Sequence, residues 1–442
     1  MSASAASPAN FWRISIYRTP PTVLAFPLRL VHAWISAPAL LFILALTAML
    51  FRPPDLESFP IDRLAFIVLC SCVAVNICCR RVRLRTFPAT WPLLALTLLA
   101  LWGVLTQPYE ASAWSLLAAK WIVPLILFHV AGLIFHDASS LRKLEVFCLL
   151  VLAYLSLISV LFLVDARSLI FPRFILDAGI GIHTDRARGP FLQAVANGVC
   201  LNLLGIMAFD SFRRKHLRGL AAGLLFVLTP VALLATKTRA VWLSAAISAV
   251  LLACLGSTVV RRAALALGAL AVIAFGCASL YLGGLPLLTE RLEDRSPVDF
   301  RADMYRAGWQ MFTEKPLVGW GNEAAIQPEI AKRISDFHPE YYVFHNTYLE
   351  IAVERGVLGI GLYMWLILSL FRLRRRTTTE SFRPVQPHFL DSGFRTLWPV
   401  MLGVYFLNAS AVVMNYQFVN GLVFSIAGIL AAQQQSARER IQ

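Results

Sequence analysis

Six cations stand where strongly apolar stretches end. Arg186 and Arg188 lie in HTDRARGPF, Lys237 and Arg239 in the KTR between two apolar runs, and Arg301 and Arg306 in FRADMYRAGW. At such a partly dehydrated boundary a guanidinium gains most by meeting a phosphate or carboxylate. Its planar fork engages two oxygens at once and the local dielectric is low. Alternatively these cations neutralise nearby acids, Asp185, Glu293, Asp294, Asp299 and Asp303, or lipid headgroups. His345 in FHNTYLEIAVERGVLG is the other candidate for chemistry, at the start of a helix leading into the next apolar run. Histidine is the usual side chain for moving a proton near neutral pH, although a lone histidine at a helix start is more often a structural hydrogen-bonding group. Asn346 and Glu350, one helical turn apart, share a face of that helix.

Other chemistries fail on residue type or spacing. His338 and His345 are seven apart on a proline-containing stretch, poor geometry for zinc, and no H-E-x-x-H, P-loop or G-x-G-x-x-G occurs. Neither a bound metal nor a nucleotide is expected. The eight cysteines (70, 72, 78, 79, 148, 200, 254 and 277) all fall in apolar stretches, which argues against a disulfide framework or a thiolate metal site. Lys120, in LLAAKWIVP, is a cation within an apolar run, and snorkelling towards an interface is its expected role.

The elements that must position these residues are membrane helices. Hydrophobic residues make up 58% and charged ones 15% of 442 residues, whereas soluble chains are nearer half apolar and a quarter charged. Each span needs roughly 20 apolar residues, and the sequence accommodates twelve: 33–51, 64–79, 89–105, 115–135, 144–164, 192–209, 219–236, 240–256, 263–282, 356–371, 396–414 and 417–433. The amino-terminal stretch has no compact apolar region followed by a cleavage site, so the first span is expected to act as an uncleaved anchor. Basic runs at 80–85, 212–218, 261–262 and 372–376 alternate with these spans. By the positive-inside rule they are cytoplasmic, together with Arg13, Arg18, Arg29, Arg438 and Arg440, which puts both termini inside. The net charge of +15 is thereby sorted by membrane side, and no nucleic-acid partner is expected. On the outer side lie two long connections, about 165–191 and 283–355. The second, between spans nine and ten, has helical spacing in DFRADMYRAGWQMF and NEAAIQPEIAKRIS with the KPLVGWGN turn between them, so short helices at the outer surface are expected. The chain reads as one all-α polytopic transmembrane domain, 1–442, with 283–355 as an inserted loop.

At HNTYLEIAVERGVLG the chain resembles the O-antigen ligase family, relatives of O-antigen polymerases and pilin oligosaccharyltransferases. The match comprises His345 and Asn346, the apolar position near Leu349, the acid near Glu350, and Gly356 and Gly359 at re-entry into the membrane. RARGPF, TKTRAVWLSA and RAGWQMFTEKPLVGWG resemble family segments in the same order, and the span order matches from roughly residue 35 to 435. Many relatives carry a second histidine two residues before the His-Asn pair, where this chain has Val343.

The resemblance implies a GT-C-like architecture and a periplasmic active site in the inner membrane of a Gram-negative bacterium. It implies transfer of a glycan from undecaprenyl pyrophosphate to a sugar hydroxyl of lipid A–core, with no cofactor, ATP or metal because the pyrophosphate ester is already activated. In that scheme His345 is the general base, direct attack inverts the anomeric centre, and fixed arginines stabilise the departing pyrophosphate. Arg188, Arg239, Arg301 and Arg306 are first choices, with Arg186, Lys237, Asn346 and Glu350 as further substrate contacts. Both substrates keep their lipid tails in the bilayer, so membrane lipid surrounds the site. A polymerase, a pilin-type oligosaccharyltransferase and, from another class, a lipid-linked-oligosaccharide transporter are the alternatives. The last predicts charges deep in several spans, broken helices and an internal repeat.

Overall fold

The computed structural model describes residues 38–52, 60–79, 84–255, 261–262, 296–334, 342–374, 389–391 and 393–439. Among these residues the chain is helical and contains no strand. In order, the helices are α1 (Pro38–Leu50), α2 (Ile61–Cys78), α3 (Thr90–Leu105), α4 (Ala111–Leu117), α5 (Val123–Ile134), α6 (Ala138–Leu163) and α7 (Ala194–Arg213). They continue with α8 (Gly219–Ala235), α9 (Arg239–Leu255), α10 (Ser296–Glu314), α11 (Glu323–Ala331), α12 (Thr347–Arg372), α13 (Phe394–Ala409) and α14 (Gln417–Glu439). A π-helical turn, Ala118–Ile122, joins α4 to α5.

Continuous apolar sequence dictates this outcome, because backbone N–H and C=O groups in hydrocarbon must bond within their own helix. Among the described residues five segments are long and apolar enough to cross a membrane: α2, the joined Ala111–Ile134, α6, α7 and α12. Shorter apolar helices are α1, α3, α8 and α9. Eleven of the twelve expected spans fall on helices, and the remaining one, 263–282, lies outside the described residues. So do Arg13, Arg18, Arg29, residues 80–83, Cys277, Glu293, Asp294, His338 and Arg440. The protein is a polytopic α-helical membrane protein.

Polar side chains fix where helices begin. Asp137 caps α6 by accepting from the backbone N–H of Ser139 and Ser140, each at 2.9 Å. The close pairing of α5 with α14 depends on small residues, since a Cβ at Gly428 would overlap the Phe128 carbonyl. Contacts among the described residues place the ends of α3, α6, α8 and α13 at one end of the bundle with the starts of α7, α9, α12 and α14. That end carries the predicted site.

The inserted segment contains the two expected short helices, α10 and α11, joined by the turn at 315–322. That turn enters a break in α12. Gly356 has φ 61° and ψ −159°, a conformation open essentially to glycine. Around the break the backbone groups that α12 leaves unpaired are answered by the turn. Trp320 N–H donates to Val353 O at 2.8 Å, Gly321 N–H to Glu354 O at 3.0 Å, and Val357 N–H to Pro316 O at 2.7 Å. A Cβ on Gly356 would collide with the backbone of Pro316 and Leu317, and one on Gly319 with that of Glu354 and Arg355. The span expected from residue 356 thus begins at this break, and residues 347–355 form a separate short helix ahead of it.

Candidate active site

His345 occupies the junction between the inserted segment and that short helix. Its backbone is left-handed, φ 51°, which turns the chain sharply into α12. Asn346 then caps the helix: its Oδ1 accepts from Tyr348 N–H at 2.9 Å and Leu349 N–H at 3.2 Å. Thr347, buried, donates its hydroxyl to Val412 O at 2.9 Å and accepts from Met414 N–H at 2.9 Å, tying the junction to the α13–α14 connection. Tyr305 of α10 donates to Ser410 O in the same connection, at 3.3 Å. The Phe300 ring meets the imidazole edge-on at 6.3 Å. Burial, with the positive charge of Arg301 added to it, pushes the His345 pKa down to about 4. His345 is therefore neutral at pH 7, the form that can accept a proton.

The predicted cations divide into distinct settings. RARGPF and KTR meet: Ala187 N–H donates to Ala235 O at 3.0 Å, and Asn197 Nδ2 donates to Ala187 O at 2.9 Å. Arg186 lies 3.6 Å from its neighbour Asp185. Lys237 sits in a left-handed turn and is half-buried, and Arg239, exposed, opens α9. Arg306 pairs with Asp303 at 2.7 Å on the exposed face of α10. Arg301 is the predicted cation whose charge acts on His345.

Two further cations have partners of their own. Arg188, first among the anion binders, is only 1% exposed. Its guanidinium donates to the carbonyls of Ile175 at 2.9 Å, Ile180 at 2.5 Å and Asp177, so its fork is spent on folding the 175–180 loop. Lys120 does not snorkel to an interface. It forms an ion pair with Glu350, and the two side chains are 9% and 13% exposed. Asn346 and Glu350, read as substrate contacts, thus have structural engagements of their own.

Residues that sequence reasoning passed over complete this region. Glu354 and Arg355 follow Glu350 on the short helix and lie 3.0 Å apart, both buried. With Lys120, Trp121, Glu350, Asn322 and Asn415 they line a cavity of about 40 Å³. That volume holds about three waters and no sugar ring. The one signal in the sequence was the cluster of charges in LEIAVERG, which adjoins an apolar span; its partner Lys120 lies 230 residues away.

Residues 224–364 match the family model described as O-antigen ligase. This stretch contains Lys237, Arg239, Arg301, Arg306, His345, Asn346, Glu350 and the Gly356 break. The chain is also similar to the exopolysaccharide production protein ExoQ of Rhizobium meliloti (strain 1021), at 30% identity over 154 residues. That alignment covers 31% of this chain and 35% of the relative's own length. The resemblance carried by the motifs is thereby shown over residues 224–364, the stretch that holds His345 and Arg301, where the chain is similar to the O-antigen ligase family.

Proposed function

We propose that this protein is an O-antigen ligase that moves a glycan from undecaprenyl pyrophosphate to a sugar hydroxyl of lipid A–core, on the periplasmic face of the inner membrane. The observation that supports the reading is His345, half-buried and neutral at pH 7, with the charge of Arg301 acting on it, at the start of the helix that leads into α12. The acceptor hydroxyl gives its proton to His345 as its oxygen attacks the anomeric carbon, and the glycosidic bond to the pyrophosphate breaks with inversion. Negative charge grows on the leaving pyrophosphate, where prepositioned cations lower the barrier. Arg301 is the foremost of these, with Arg239, Lys237, Arg186 and Arg306 as further contacts from the neighbouring segments. Neither ATP nor a metal is required, because the donor is itself activated.

Substrate binding also improves the base. Burial is the larger cause of the low His345 pKa, and a pyrophosphate beside Arg301 offsets the smaller part that the Arg301 charge contributes, moving the pKa towards the operating pH. Similarity to an exopolysaccharide production protein favours one second reading, a polymerase whose acceptor is another lipid-linked glycan. The break in α12 is a feature that transporters also use, but here the freed backbone is filled by the 315–322 turn. Purified protein mixed with undecaprenyl-pyrophosphate-linked glycan and rough lipopolysaccharide, without ATP or metal, separates these readings. Glycan on lipid A–core supports the ligase; lengthened lipid-linked glycan alone replaces it with the polymerase, and no transfer removes both.

A further inference from the structure

Lys120 and Glu350 bury opposite charges within apolar helices, 9% and 13% exposed. Dehydrating such a pair is costly, and apolar residues of similar volume would fill the space with equal or better stability. What a buried pair adds is a fixed register between the elements that carry it. Three observations indicate which register is at stake. Lys120 stands on the π turn Ala118–Ile122, an uncommon distortion that re-aims side chains, and Asn420 Nδ2 secures that turn by donating to Ala119 O at 3.1 Å. Glu350 stands on the short helix 347–355, which Gly356 severs from the rest of α12, so no continuous helix holds its rotation. That same helix begins two residues after His345 and inherits its direction from the Asn346 cap.

Thr347, Tyr348 and the 315–322 turn hold other sides of the short helix, and on the side towards Lys120 the pair stands beside a cavity. Between this pair and the Glu354–Arg355 pair lies the 40 Å³ cavity, and among the described residues Arg355 Nε and Trp121 Nε1 have no hydrogen-bond partner. A wall with spare volume does not fix a helix rotation by packing alone.

We propose that Lys120 is a positioning residue for His345: through Glu350 it sets the rotation of the 347–355 helix and hence the aim of the imidazole. In its catalytic consequence this rests on the ligase reading above; in its structural consequence it does not. The test uses the full-length protein in three forms: wild type, Lys120→Met with Glu350→Met, and the exchanged pair Lys120→Glu with Glu350→Lys. The apolar pair should retain the thermal midpoint yet lose about 10-fold to 100-fold in kcat, since small misalignments of a base are expensive in rate. KM for both substrates should stay near wild type, and the exchanged pair should regain most of the kcat. Wild-type kcat in the apolar pair overturns the proposal. So does a raised KM at unchanged kcat, which would make Glu350 a substrate contact. Peptide-resolved acylation of His345 by diethyl pyrocarbonate gives a readout free of ligase activity: its rate should change in the apolar pair and return in the exchanged pair. If that pattern holds while wild type transfers no glycan, the positioning role stands and the ligase reading falls. If wild type ligates and neither kcat nor acylation responds, the positioning role falls alone.

Discussion

The two ends of the bundle set the same residue types in different surroundings. At the end where α6 begins and α7 finishes, Arg214 is fully buried between Glu145 at 2.5 Å and Asp210 at 2.8 Å. Arg213 bridges Asp210 at 2.7 Å and Asp391 at 2.5 Å, and His216 lies 3.0 Å from Glu145. These pairs join α6, α7 and the approach to α13, so the network is a staple between helices. At the opposite end, Arg306 and Asp303 are 75% and 49% exposed neighbours on one helix, and Arg186 lies beside Asp185 in sequence. Local, hydrated pairs are worth little and are readily exchanged for a ligand anion, whereas a dehydrated pair between helices is not. A cation near a membrane surface is thus assigned to scaffold or site by what answers its charge and how wet that partner is.

Arg214→Ala should produce the largest effect, because it leaves Glu145 and Asp210 buried without their counter-charge at a cost of about 3–5 kcal/mol. The thermal midpoint of detergent-purified protein reads this directly. An unchanged midpoint would mean that the network is not a staple, and the contrast between the ends would collapse. His345→Ala should do the reverse, leaving the midpoint unchanged and lowering turnover by roughly 10²–10⁴-fold, the usual contribution of a general base. Full ligation by that variant removes His345 from the mechanism.

How much of this contrast could be read in advance depended on the range of the interaction. Apolar runs declare themselves residue by residue, so spans such as 89–105 and 219–236 agree with α3 and α8 to within a residue. The short helices of the insertion and the turn between them were legible for the same reason. His345 was singled out because the surrounding segments resemble a family, and its spacing alone did not distinguish a base from a cap. Partnerships were not legible. That Arg188 spends its fork on three carbonyls depends on how residues 175–180 fold back over it. That Lys120 finds Glu350 depends on the packing of segments far apart in sequence. The break in α12 was marked only by a glycine, and its meaning required the turn that fills it.

Gly356→Ala sharpens the comparison at intermediate scale, for it strains the site end without touching a charge. The new Cβ meets backbone at 316–317 and must adopt a positive φ, costing about 1–3 kcal/mol. Gly361→Ala, one turn further on with open space around it, should leave the midpoint alone. Equal midpoints for the two variants would mean that the 315–322 turn does not hold the break.

Arg301→Gln should move a pH profile rather than a stability. In the free enzyme His345 must be neutral to act, and its pKa lies near about 4, so kcat/KM should fall only as pH drops towards that value. Removing the positive neighbour lets the imidazole hold its proton more readily, so the acid limb should shift to higher pH. Arg301→Lys should keep the limb in place while lowering kcat, because the charge survives and the two-oxygen fork does not. A limb that stays put in Arg301→Gln would separate Arg301 from His345.

The smallest expected change is in the stability of Arg306→Ala. Its pair with Asp303 is exposed and only three residues apart, so its loss should cost no more than about 0.5 kcal/mol. If the cation belongs to the pyrophosphate-binding set, the variant should still raise the donor KM a few-fold, with a difference from wild type that shrinks as salt rises. A midpoint shift as large as that of Arg214→Ala would show that exposed pairs at the site end also staple the fold. Wild-type donor KM at every salt concentration would leave Arg306 a solubilising surface charge, and would confine the cationic set to the residues nearer His345.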